Sequence, residues 1–329
     1  MGWFGFLGAR AARGVLVVLL VVVVNFFLIR LAPGDPAQVM AGEMQSDDPA
    51  LVERLRAEFG LDRSTTQQLR LYLGAVLRGD LGHSYRNHVD VCTLIAERVP
   101  ATLLLMVSAF VFALVPGVGL GVLAVRARLH RRWRWADGAI FGAAMLLYAT
   151  PTFWLSLMLV IVFSVQLDWL PAFGMQSGAA AAAGGLAQAL DVARHLVLPT
   201  VALGTLYMAV YVQLTRAAML EVLHQDFVRS AQAKGVPPTR ILRVHVLRNA
   251  LLPVLSMAGI QLGQLAGGAI LIETVFAWPG IGRLMFDAVS QRDYPLLLGI
   301  FLTTAVMVVV FNLVTDVLYR IADPRIARA

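Results

Sequence analysis

Lys234 is the only lysine in the 329 residues, and Gly235 follows it. A phosphate-cradling P-loop needs lysine followed by serine or threonine, so no nucleotide site of that kind can be written. His83 and His88 stand five apart in a connecting segment, a poor spacing for metal ligands, and the other histidines are scattered. There is no H-E-x-x-H helix and no G-x-S-x-G elbow. Cys92 is the only cysteine, which excludes an intrachain disulfide and a cysteine metal cluster. No catalytic residue, metal site or cofactor is expected.

Acid–base chemistry of another kind, ion coupling within a membrane, needs ionisable groups deep in apolar spans. Here the middles of the apolar blocks are nearly free of charge: Glu273 falls at the outer end of one and Asp316 near the inner end of another. Asn25, Gln213, Gln261, Gln264 and Asn312 are neutral and suit hydrogen bonding between helices. An ion-coupled secondary transporter is therefore the weaker of two transport readings. A membrane scaffold with no transport role is weaker still.

The elements that must carry these residues are set by composition. Hydrophobic residues make up 59% of the chain, charged residues only 14%, and the mean hydropathy is +0.74, which is lipid-soluble composition. An apolar run at 14–29, extended to about 20 residues by its flanks, reads as an uncleaved first span because no A-x-A site follows it. Five more spans are expected at about 101–125, 138–165, 196–217, 250–272 and 296–319. Segment 126–137 carries Arg126, Arg128, Arg131, Arg132 and Arg134 against Asp137, and 216–248 holds six basic residues. Segments 166–195 and 273–295 carry one and two. That alternation predicts an all-α polytopic helix bundle of six transmembrane helices with both termini cytoplasmic. The net charge of +7 then reflects membrane topology, and nucleic acid is not an expected partner.

The division that follows is 1–31, an N-terminal segment and first span; 32–100, an external subdomain; 101–322, a core with a cytoplasmic loop at 217–249; and a tail at 323–329. Asp48 with Pro49 predicts a helix start, and Gly60 its C′ residue, with Leu51, Leu55 and Phe59 along one face. A second helix is expected from about Thr66 to Leu77, stopping near Gly79. Gly117 and Gly121, and Gly259, Gly263 and Gly267, form small faces suited either to close packing within the bundle or to a partner subunit. Pro116 and Pro151 should kink the second and third spans.

In 217–249, Asp226 can cap a short helix ending near Lys234, with Gly235 as C′ residue. Ala231 and Gly235 lie four apart and leave a shallow face. A basic helix resting on lipid headgroups and a docking helix for another protein both fit.

The stretch from Gln225 to Gly235, with Arg248 to Pro253, resembles the cytoplasmic signature of importer permeases of the ATP-binding-cassette superfamily. More narrowly the chain resembles the first of two paralogous membrane subunits of the dipeptide/oligopeptide (also nickel-type) permease family. The supporting segments run in order through the chain: Leu31–Pro36, Phe59–Asp62, Arg78–Gly82, Glu97–Thr102, His195–Pro199, Glu273–Gly280, Arg292–Pro295 and Asp323–Arg325. The resemblance implies a type I importer permease that pairs with a homologous permease, two ATPase subunits and an extracytoplasmic solute-binding protein in the bilayer of a bacterial inner membrane. It implies that the helix with Asp226, Arg229, Ala231, Lys234 and Gly235 docks into the ATPase, whose ATP-driven closure switches access between the two sides. It also places Trp278, Pro279, Gly280, Arg292, Asp293 and Tyr294 in external family motifs, with roles in packing or in contact with the binding protein. One departure is Arg229-Ser230-Ala231, where the wider superfamily begins Glu-Ala-Ala, so no role for a leading glutamate carries over.

Overall fold

The computed structural model describes residues 3–31, 37–38, 41, 48–58, 62–84 and 86–322. The expected C′ residue Gly60, the apolar Phe59, and the motifs at 32–36 and 323–325 lie outside them. The helices are α1 (Trp3–Leu31), α2 (Pro49–Glu58), α3 (Thr65–Leu77), α4 (Val91–Leu129), α5 (Arg134–Ala149), α6 (Thr152–Leu159), α7 (Gly178–Ala183), α8 (Gly185–Leu223), α9 (Asp226–Ala233), α10 (Leu247–Gly268), α11 (Ile270–Val275), α12 (Ile281–Ser290) and α13 (Tyr294–Ala322). A π-helical turn, Val160–Gln166, extends α6, and another, Ile241–Val246, leads into α10. The chain divides into two units, residues 1–100 with 283–310 and residues 101–282 with 311–329.

Five helical stretches are long and apolar enough to cross a membrane: Gly8–Leu28, Val91–Leu129, Gly185–Leu223, Pro238–Leu265 and Tyr294–Val317. The expected third span differs. It consists of two helical segments, Arg131–Ala149 and Thr152–Gln166, bent by 103° against each other. Pro151 has no N–H and drives the preceding residue out of the helical region, and Thr150 is extended at φ −77°, ψ 126°. This is a break, well beyond the expected kink. Pro116, by contrast, lies inside the uninterrupted α4.

In the first unit, local sequence explains the short helices. The Asp48 carboxylate accepts from Ala50 N–H at 2.9 Å, with Pro49 as the first helical residue. Helix α3 closes as expected at Gly79 (φ +78°): Gly79 N–H donates to Val76 and Asp80 N–H to Ala75, both at 3.0 Å, a Schellman pair. Phe26 of α1 stacks on Tyr72 of α3 with ring centroids 5.8 Å apart, and burial pushes the Tyr72 phenol up to about 12. Many other α1 side chains, among them Val15, Leu16, Leu20 and Leu28, are exposed apolar groups, as a lipid-facing helix requires.

In the second unit, α4 and α8 approach through glycine from both sides. A Cβ on Gly117 would stand 2.7 Å from Tyr211 Cβ and 2.9 Å from the Met208 carbonyl oxygen, and one on Gly121 2.7 Å from Thr215 Cβ. Gly204 of α8 answers them, 2.9 Å from the Ala109 carbonyl oxygen by the same construction. The Gly117/Gly121 face is thus used within the chain. Gly263 sits against Asn312, whose amide oxygen a Cβ would meet at 3.0 Å.

Candidate functional site

Helix α9 is a short polar helix held up by an apolar seat. The chain leaves α8 at Leu223, turns through His224 and Gln225, and re-enters helix at Asp226. The N-cap is Gln225 (φ −76°, ψ 151°), one residue before the expected Asp226. Asp226 occupies the first turn instead, where its negative charge still favours the helix N-terminus. Its side chain is 98% exposed, and Arg229 lies 3.6 Å from it on the same outer surface. At the other end Gly235 (φ +72°) makes a full Schellman closure: Gly235 N–H donates to Gln232 at 2.9 Å and Val236 N–H to Ala231 at 3.2 Å.

The two small residues are not on one face. Ala231 is buried with Val228 against Val125, Ala218, Met219, Val222, Ile241, Val246 and Ala250. The four-residue spacing suggests one shallow face, but Ala231 instead seats α9 on α4, α8 and the start of α10. Gly235, Arg229, Lys234 and Asp226 stay exposed, and no atom stands within 4 Å of where a Gly235 Cβ would be. Phe227, unnoticed in the sequence, is 40% exposed beside them and gives the outer surface an apolar member. Spacing gives no signal for it, because 227 and 231 are four apart and share a face, and only the observed burial of Val228 and Ala231 separates them from Phe227.

Beside the seat lies a charge cluster that sequence reading took only as topology. Arg216 of α8 donates from Nε to Asp137 Oδ1 at 2.6 Å and from a terminal nitrogen to Oδ2 at 2.9 Å. Arg128 of α4 reaches Oδ2 at 3.3 Å. The Arg216 guanidinium also lies 5.2 Å from the Phe141 ring centroid. Asp137 is buried, so this fork links α4, α5 and α8 where α9 rests.

The candidate external residues fall in both units and are largely interior. In the second unit Trp278 is fully buried, and its indole N–H donates to the Ala101 carbonyl at 2.8 Å. Thr102 donates to the buried Glu273 carboxylate at 2.8 Å and accepts from Ile281 N–H at 2.7 Å. Gly280 lies against that carboxylate, so a side chain there would force the buried Glu273 to shift. Gly280 N–H bonds back to Trp278 O across Pro279, at 2.8 Å. Ala101 and Thr102 therefore meet residues 273–281 as one packed knot.

In the first unit Asp293 is an N-cap of α13, accepting from Leu296 N–H at 3.3 Å, and Tyr294 begins the helix. Asp293 also accepts from the buried Ser84 hydroxyl and from Arg86 N–H at 3.3 Å. Arg292, exposed, is a non-glycine C′ residue at φ +53° closing α12: its N–H donates to Val289 and that of Asp293 to Ala288. Among the described residues no group of three or more His, Cys, Asp or Glu is arranged to hold a metal ion.

A family described as binding-protein-dependent transport system inner membrane component matches residues 117–328, and the N-terminal component of the same system matches residues 3–107. The chain belongs to this family. The inner membrane component is similar to the di/tripeptide transport system permease protein DppB of Pseudomonas aeruginosa (strain UCBPP-PA14), 41% identical over 93% of this chain and 94% of that one. It is 38% identical to the dipeptide transport system permease protein DppB of Escherichia coli (strain K12), over 93% and 94%. A putative peptide transport system permease protein of Brucella abortus (strain 2308) is also 38% identical, over 96% and 97%. In fold it resembles the MetNI methionine ABC transporter in an inward-facing state, with a TM-score of 0.55 over 70% of this chain and 96% of that one at 18% identity. It is a multi-pass membrane transport subunit, not an enzyme.

Proposed function

We propose that this inner membrane component is the permease subunit of an ATP-driven importer of short peptides, with di- and tripeptides as the first candidates. Similarity along nearly the whole chain to two permeases named for those solutes carries the reading. The partners proposed are a homologous second permease, two ATPase subunits and an extracytoplasmic solute-binding protein. Arginine-rich segments 126–137 and 217–249 face the cytoplasm together with both chain ends, and 32–100 lies outside.

In this reading α9 is the ATPase contact. Asp226, Phe227, Arg229, Lys234 and Gly235 meet the partner, and Ala231 supports them from behind by fixing α9 on its seat. Force on α9 then reaches the apolar cluster and the Asp137 fork in the same body of helices. Trp278, Pro279, Gly280, Arg292, Asp293 and Tyr294 act as packing and capping residues near the external ends of their helices.

The test is uptake of a labelled dipeptide into proteoliposomes carrying the four-subunit complex, with binding protein and enclosed ATP. Uptake should require ATP, and Gly235→Glu should abolish it while the ATPase subunits keep hydrolysing. Because a side chain at φ +72° strains the turn, Gly235→Asn, which tolerates that conformation, is the companion variant. Uptake that survives ATP depletion and follows an ion gradient would overturn the reading.

A further inference from the structure

The turn between α4 and α5 reads Arg126-Ala-Arg128-Leu-His-Arg131-Arg132-Trp133-Arg134-Trp135-Ala-Asp137 and joins two membrane-compatible segments. His130 is extended at φ −102°, ψ 116°, and Arg131–Trp133 form one 3-10 turn before α5 begins at Arg134. The only acid in this segment is already engaged: Asp137 is gripped by Arg216 and Arg128. Arg126, Arg131, Arg132 and Arg134 are exposed, and no ion-pair partner is assigned to them among the described residues. Four guanidiniums at a membrane boundary are thus left uncompensated among the described residues.

Charge is half of the pattern. Trp133 and Trp135 alternate with the arginines and are 53% and 68% exposed, their rings tilted by 31° with centroids 6.3 Å apart. An indole prefers the headgroup layer of a bilayer, with its ring against acyl chains and its N–H toward polar groups. A guanidinium presents a planar fork that fits a phosphodiester through two hydrogen bonds. A solvated loop would explain the arginines but not two exposed indoles. A free phosphate would gain nothing from the indoles.

We propose that residues 131–135 form a binding site for the headgroup of an anionic phospholipid, with Arg131, Arg132 and Arg134 on the phosphate and Trp133 and Trp135 at the acyl boundary. The proposal rests on the chain being a membrane protein and not on which solute it carries. Each arginine should contribute about fivefold to anionic-lipid preference. Lysine in place of arginine keeps the charge and loses the fork, so it should retain part of the preference.

The experiment is electron paramagnetic resonance of the full-length protein in phosphatidylcholine vesicles doped with spin-labelled phosphatidylglycerol or spin-labelled phosphatidylcholine. The native protein should immobilise phosphatidylglycerol preferentially. Arg131→Gln with Arg132→Gln and Arg134→Gln should reduce that preference at least tenfold. Arg63→Gln with Arg70→Gln, which removes charge elsewhere, should leave it unchanged, and elution as a single species on size exclusion confirms folding. Unchanged preference in the triple variant overturns the proposal. So does a photo-crosslinker placed at position 133 that captures an acidic protein surface in native membranes and no lipid.

Discussion

Asp137 accepts two hydrogen bonds from Arg216 and one from Arg128, so Asp137→Asn leaves two cations facing each other with no carboxylate between them. Breaking a buried pair on one side costs about 3 kcal/mol, and thermal unfolding of the detergent-purified protein should show a loss of that order. Asp137→Asn combined with Arg216→Gln should recover part of it. Gly235→Ala meets no neighbour, so its cost is purely conformational, about 1–2 kcal/mol for a side chain in the left-handed region. Arg292→Gly removes the same strain at φ +53°, and should stabilise by up to about 1 kcal/mol after the extra freedom of the unfolded glycine is counted. Tyr72 is an acid whose pKa is raised on folding to about 12, so the stability it lends is full below its ordinary value of 10.0 and fades as pH climbs towards 12. Tyr72→Phe should flatten that alkaline slope in a denaturation series.

Elements were readable where the sequence carries its own punctuation. Asp48-Pro49 opened α2 and Gly79 closed α3 as their chemistry requires, and the spans followed from apolar runs. Reading failed where the deciding contact lies far along the chain. Asp137 and Arg216 are 79 residues apart and Ser84 and Asp293 are 209 apart, so neither fork nor cap could be seen in either neighbourhood. The burial of Ala231 is not legible in sequence because spacing gives a face but not what the face meets, and Gly204 stands without a glycine partner at four residues. The α4–α8 contact gives an internal control. Gly117→Ala drives a methyl against Tyr211 and the Met208 carbonyl and should destabilise by about 1–3 kcal/mol. Gly119→Ala, two residues away with nothing within 4 Å, should be neutral or mildly stabilising by urea unfolding or thermal shift.

At the scale of the whole molecule, membrane sidedness is checked with the chain's own chemistry. Cys92 is exposed in the segment proposed to lie outside, so a membrane-impermeant maleimide should label intact spheroplasts. In a Cys92→Ser background, His130→Cys should react only in inverted vesicles; the reverse pattern would invert the proposed topology. The 103° break between α5 and α6 has a consequence for how such a subunit moves. An unbroken helix resists bending because its backbone ladder must be disrupted, whereas here Pro151 offers no N–H and Thr150 is already extended. No ladder hydrogen bond from Pro151 back into α5 has to be ruptured to change the angle. A change of that angle would therefore cost little in backbone hydrogen bonding, unlike a bend forced into the uninterrupted α4.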